Sequence, residues 1–217
     1  MKKNELVKRY VLFIISLFFQ GIGIAFTKQG GLGVTPISSV ANVANTKWPD
    51  LSMGTWLFIW NCILLLGQIV ILRKDFELIQ LLQLPVSILF GWCTDLGLRI
   101  ASILPTSNYA LRIVSVVLGI FILSFGIVQA VTANVLMNSG EAIVKAIADK
   151  THFVFGNVKV GFDISCVLLA ILFSLVVFQG QIVGTREGTI ICALLTGPVV
   201  KIYQRYLAES MENLLTA

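Results

Sequence analysis

Residues 113–140 read IVSVVLGIFILSFGIVQAVTANVLMNSG, a run without one charged side chain. An α-helix needs about 20 apolar residues to cross the hydrocarbon of a bilayer. The run therefore holds one span of about 22 residues, and a polar tail follows it. That tail, Asn134-Val135-Leu136-Met137-Asn138-Ser139-Gly140-Glu141, is too rich in turn formers to continue the span. Similar apolar runs occupy Tyr10–Thr27, Leu51–Leu72, Leu78–Thr94, Val160–Thr185 and Gly188–Tyr206. The uncharged part of the last, Gly188–Val200, is short, so Lys201 and Arg205 are expected to snorkel to the interface.

The whole chain of 217 residues is 57% hydrophobic and 12% charged. A soluble domain carries about 25% charge, so this much apolar surface has too little polar cover for water. The composition excludes a soluble globular domain, a disordered chain and a nucleic-acid binder. It gives an all-α polytopic membrane protein of about six transmembrane helices, forming a single membrane domain over 1–217.

The net charge of +5 fits the positive-inside rule better than a nucleic-acid partner. With six spans and the N-terminus inside, Lys2, Lys3, Lys8, Arg9, Arg73, Lys74, Lys145, Lys150, Lys159, Lys201 and Arg205 are cytoplasmic. Lys28, Lys47, Arg99, Arg112 and Arg186 are outside. The imbalance predicts both termini in the cytoplasm of a bacterial cell, with the chain in the inner membrane. Tyr10, Tyr203 and Tyr206 then mark the inner edge, and Trp48 and Trp56 the outer edge. The basic N-terminus leads into a retained helix, because no small-residue cleavage site follows it. Cys62, Cys93, Cys166 and Cys192 all fall in apolar runs without metal-ligand spacing and read as buried free thiols.

Residues 12–95 and 113–201 share one order: span, polar segment, short amphipathic stretch, Gly, span, span. In the first half the polar segment is Gly30-Gly31-Leu32-Gly33-Val34-Thr35-Pro36, and the short helix is 37–45. In the second half the short helix is 142–150. Gly54 precedes Asn61 by seven positions, and Gly156 precedes Asp163 by seven. Phe90-Gly91-Trp92 in span three matches Thr196-Gly197-Pro198 in span six. Three spans per repeat is an odd number, so the halves enter the membrane in opposite senses. Inverted repeats with broken helices near the symmetry axis are a transporter design. The polar segments then open short re-entrant or interfacial helices, with Thr35 or Ser38 expected to cap the first and Ser139 the second. Such helix starts offer free N–H groups and a positive dipole end.

Charged and amide side chains inside spans are costly and point to sites or to helix pairing. Asp163 is expected to pair with Lys159 one turn earlier, and to line a cavity with Asn61, its repeat mate. Glu141 suits the start of the second short helix. Gln68, Gln80, Gln83 and Gln129 can bridge helices. Asp95 has Arg99 one turn on, and Glu187 sits in the first turn of span six beside Arg186. The candidate substrate-binding residues are Thr35, Ser38, Asn61, Gln83, Asn138, Glu141 and Asp163. His152 is the lone histidine and lies in a loop. No catalytic triad, zinc-binding helix or phosphate-binding loop is present, so neither an enzyme nor a cofactor is expected.

Several short motifs resemble the YczE/YyaS/YitT group of bacterial membrane proteins. In the first half they are Gly33-Val34-Thr35-Pro36, Gly54-Thr55-Trp56, and Leu82-Gln83-Leu84-Pro85-Val86-Ser87 with Phe90-Gly91. In the second they are Gly156-Asn157-Val158-Lys159-Val160-Gly161-Phe162-Asp163 and Val183-Gly184-Thr185-Arg186-Glu187-Gly188-Thr189-Ile190. The resemblance covers nearly the whole chain and implies an integral inner-membrane protein without implying a substrate. It departs at the second polar segment, where Glu141 stands in place of a proline.

The leading expectation is a small transporter or substrate-binding membrane protein, with the lipid bilayer and an unidentified small molecule as partners. The alternatives are a non-transporting accessory protein of another membrane or secretion system, and a membrane subunit of an energy-coupled importer. A homodimer or a membrane partner fits any of the three.

Overall fold

Long uncharged runs with few helix breakers form long helices, and the breakers set where those helices end. A computed structural model describes residues 3–216. Lys2 of the basic N-terminal run lies outside the described residues, as does the side chain of Lys3. Among the described residues the chain is all-helical. Helix α1 (Lys3–Gln29) begins before the apolar run because Glu5 and Arg9 pair across its first turns at 3.1 Å. A 3-10 turn at Pro36–Ser38 leads into α2 (Ser39–Lys47). Helix α3 (Met53–Leu72) follows, capped by Ser52, whose hydroxyl accepts from the Thr55 N–H at 3.1 Å. Span three enters as a 3-10 stretch at Leu78–Leu82 and continues as α4 (Gln83–Ala101). Pro85 falls in the first turn of α4, where its missing N–H costs nothing.

The second half runs α5 (Tyr109–Ala133), α6 (Ser139–Thr151), α7 (Phe155–Val177) and α8 (Glu187–Thr216). Helix α7 starts five residues before its expected span, so Lys159 and Asp163 lie on one regular helix. Five helical segments are long and apolar enough to cross a membrane: α1, α3 with the turn after it, the 3-10 stretch with α4, α5, and α7. This is the make-up of a multi-pass membrane protein. Helix α8 is longer than any of them, but its second part carries Lys201, Arg205, Glu209 and Glu212.

Helices α1 and α5 pack antiparallel as the central pair. The Ser115 hydroxyl near the start of α5 donates to the Phe26 carbonyl near the end of α1, at 2.7 Å. At the opposite end, Arg9 of α1 donates to the Thr132 carbonyl of α5 at 3.0 Å. Glycines bring the two backbones together: Gly23 lies against Leu123, Gly119 against Gly23 and Thr27, and Gly126 against Ser16 and Gln20. Helix α4 runs along α1, and α8 along α5. Helix α3 packs on α4 and carries α6, while α7 carries α2. Helix α2 also packs on α3, and α6 on α7, so each short helix sits between both of these long helices.

The core lies around α1, with Phe13, Leu17, Ile24, Met53, Leu57, Phe90 and Leu123 in one cluster. Outward faces are apolar: Val70, Leu172 and Val176 are well over half exposed, as side chains facing lipid would be. The four cysteines are free, and three of them are buried.

Several local expectations are corrected. Neither Thr35 nor Ser38 caps a backbone N–H; the Thr35 hydroxyl instead donates to the Ser38 hydroxyl at 3.0 Å. Pro36 opens that turn and has no N–H to cap. Helix α6 is capped one residue earlier than expected, by Asn138, whose Oδ1 accepts from the Ser139 N–H at 2.8 Å. Asp95 does not pair with Arg99; it accepts from the Ser52 hydroxyl at 2.5 Å and the Gly54 N–H at 2.8 Å, at the start of α3. A free helix N-terminus is the better partner for a carboxylate.

Candidate functional site

The chain must turn back sharply after α1 to form the first short helix. Gly31 and Gly33 allow this, with φ of 65° and 108°, values that L side chains rarely adopt. A side chain at Gly33 would also run into the Thr189 hydroxyl and the backbone at Arg186. The Gly188 N–H donates to the Leu32 carbonyl at 2.8 Å, which ties the turn to the start of α8. From there the chain passes through the Pro36–Ser38 turn, which touches α7 and α8, into α2. Helix α2 is held by Asn42. Lys28 Nζ donates to Asn42 Oδ1 at 2.6 Å, and Asn42 Nδ2 donates to the Gly184 carbonyl at 2.7 Å.

The second break starts at Asn134, which takes the left-handed conformation (φ 49°) and ends α5. The four residues Asn138, Ser139, Gly140 and Glu141 then make contacts in three directions. Asn138 caps α6. The Ser139 carbonyl accepts from Gln68 of α3 at 3.2 Å. Gln68 is also in a reciprocal amide pair with Gln83 of α4, at 3.1 and 2.9 Å. Gly140 faces Ile37 of the first break so closely that an added methyl would lie 2.9 Å from the Ile37 side chain. Glu141 lies near enough to Lys159 and Asp163 of α7 to feel both charges. Lys159 and Asp163 pair at 2.5 Å, with side chains 29% and 22% exposed.

The first turn of α6 is therefore where both breaks, α3, α4 and α7 come together. Of the residues singled out from sequence, the structure brings Gln83, Asn138, Glu141 and Asp163 to this hub. Thr35 and Ser38 flank Ile37, which touches it. Asn61 is buried on α3, between Gly54 and Gln68 on the face turned to α4. Its Nδ2 has no hydrogen-bond partner, and neither has the Trp60 indole N–H. Ser139 Oγ, at the hub itself, is buried and equally without a partner. Unsatisfied buried groups are costly, and others lie elsewhere, at Gln80, Ser124, Gln129, Thr185 and Thr189.

Gln68 and Ile37 were not among the site residues. Gln68 is a glutamine in an apolar span and was separable only as helix glue. Ile37 is an ordinary isoleucine, and nothing in its identity marks it as the residue where the breaks meet.

The chemistry available at the hub is recognition: amides, hydroxyls, backbone groups at a helix start, and a lysine paired with Asp163. Away from it, Arg9 is buried near the start of α1, bonded to Glu5, Glu212 and the Thr132 carbonyl. This ties the end of α8 to the start of α1 beside an open cleft of about 570 Å³ lined by Glu5, Asn134 and Glu209.

The chain belongs to a family of unknown function, DUF6198, whose model matches residues 7–205. No curated protein and no solved structure matches it.

Proposed function

We propose that this protein is a small transporter of the bacterial inner membrane. In this reading six spans form two inverted three-helix repeats with both termini in the cytoplasm, and a polar solute binds where the two breaks meet. The observation that carries it is the contact of Ile37 in the first break with Gly140 in the second. Broken helices that meet at the interface of two repeats are where transporter sites form. The seating of both short helices between α3 and α7 supports the repeat, as does the reciprocity of Gly23 on Leu123 and Gly126 on Gln20. Gln83, Glu141 and Asp163 supply the polar wall, with Thr35, Ser38, Asn61 and Asn138 around it. The resemblance to the YczE/YyaS/YitT group belongs to this proposal as a kinship of inner-membrane proteins.

Comparative metabolite uptake and efflux, in cells with and without the protein, tests the reading. It expects at least one small polar solute to differ, and Asp163→Asn to remove that difference while the protein still inserts. No difference in any solute, together with a stoichiometric co-purifying membrane protein, would contradict it and favour an accessory role.

A further inference from the structure

The two halves differ at one helix pair. In the first half α3 and α4 pack through Gly54 and Gly91, so closely that a methyl on either glycine would meet the backbone of the other. In the second half the matching glycines are Gly156 of α7 and Gly197 of α8. Both face open space, and α7 and α8 make no comparable packing. The Pro36–Ser38 turn touches both helices, and α7 carries the Lys159–Asp163 pair.

The charges explain why one pair is closed and the other open. Asp95 stands four residues after Gly91 and clamps α4 to the N-terminus of α3 through Ser52 and Gly54. Four residues after Gly197 stands Lys201, a cation that cannot accept from a helix start. Helix α7 has no side-chain cap at its N-terminus. Pro198 follows Gly197 within α8, where its missing N–H removes one backbone hydrogen bond and softens the helix. The end of α8 is meanwhile held on α1 by Arg9 and Glu212.

We infer that α7 and α8 form a lateral gate. The open arrangement leaves the Lys159–Asp163 pair of α7 part-exposed beside the buried hub, and bending of α8 at Gly197-Pro198 closes that side by bringing Gly197 against Gly156, as Gly91 lies against Gly54. This rests on the transporter reading and names its moving part.

The test uses the full chain with Cys62, Cys93, Cys166 and Cys192 replaced by serine, in vesicles of bacterial lipid. Gly156→Cys and Gly197→Cys are introduced together and oxidised with copper phenanthroline. An intrachain disulfide is expected, because closure brings the two sulfurs within the few ångströms a disulfide spans. Lys201→Asp, which supplies the missing clamp, should raise the rate of disulfide formation at least about threefold, by creating a helix-start partner. Pro198→Ala should lower it by a similar factor. A disulfide only between chains, or none while Gln68→Cys with Gln83→Cys cross-links in the same vesicles, would overturn the gate.

Independently of the glycines, nitroxides at Val160→Cys and Leu194→Cys, both exposed, should report two distances across the gap. A single distance would overturn the gate as well. A disulfide without movement of any solute would leave the gate standing and remove the transporter reading. Solute movement with neither a disulfide nor a second distance would do the reverse.

Discussion

Helices α3 and α4 on one side, and α7 and α8 on the other, carry the same small residues at matching places and meet different fates. Gly54 and Gly91 touch; Gly156 and Gly197 do not. Small residues fix where two helices are able to approach closely in a membrane. Whether they do is decided nearby, by an acid that caps a helix start in one half and a lysine that cannot in the other. A repeat therefore preserves the pattern of possible contacts and lets single charges choose among them.

The sharpest way to break this comparison is to add a methyl at each glycine. Gly54→Ala drives a methyl into the rigid backbone at Gly91 and should destabilise by about 1–3 kcal/mol, the usual cost of overpacking. Gly156→Ala meets nothing and should be neutral or stabilise by up to about 1 kcal/mol, since alanine is the better helix former. Thermal unfolding in detergent reads both, and equal effects would end the contrast.

Asp95→Asn should cost about 1 kcal/mol by weakening the cap on α3. Lys201→Gln should change stability by less than about 0.5 kcal/mol, as an exposed substitution does. The same unfolding assay ranks the pair, and a larger loss at Lys201 would show that it has a structural partner.

Gln68→Leu leaves both Gln83 and the Ser139 carbonyl without their donor and should cost about 0.6–1.7 kcal/mol. In a double-mutant cycle with Gln83→Leu, the second substitution should cost less than it does alone. Additive losses would mean the amide pair is not a unit.

A small effect on stability is expected at the charged pair. Asp163→Asn leaves Lys159 about a third exposed and able to reach water, so the loss should stay below about 1 kcal/mol. On the transporter reading the same substitution removes solute movement altogether. Retained movement would make Asp163 a packing residue, and Lys159→Gln with Asp163→Asn would then be no worse.

Much of this architecture is legible in the sequence, because the bilayer enforces it. Uncharged runs long enough to span become helices, and Gly31, Gly33 and Pro36 have few other uses than to break one. Lys159 and Asp163 pair as their spacing predicts, since helix geometry alone sets that contact. Contacts between distant segments are the illegible part. Nothing local joins Gln68 to Ser139 or Ile37 to Gly140, and Arg9 reads as one of several N-terminal cations until α8 delivers Glu212 to it. The cap of α6 falls one residue earlier than expected for a similar reason. Asn138 and Ser139 are both good capping residues, and only the exit angle from α5 selects the first.

A transporter reaches its site from each side of the membrane in turn, and on the transporter reading that site is the meeting point of the two breaks. Ser38 and Ser139 lie beside Ile37 and Gly140 and are both buried. Ser38→Cys and Ser139→Cys, made singly in the cysteine-free protein, change only an oxygen for a sulfur. The measurement is their reaction with a membrane-impermeant maleimide, applied to right-side-out and to inverted vesicles. The account expects each cysteine to react from both sides, with one side slowed when the other is favoured by solute. Reaction of both from a single side only, whatever the solute, would contradict it.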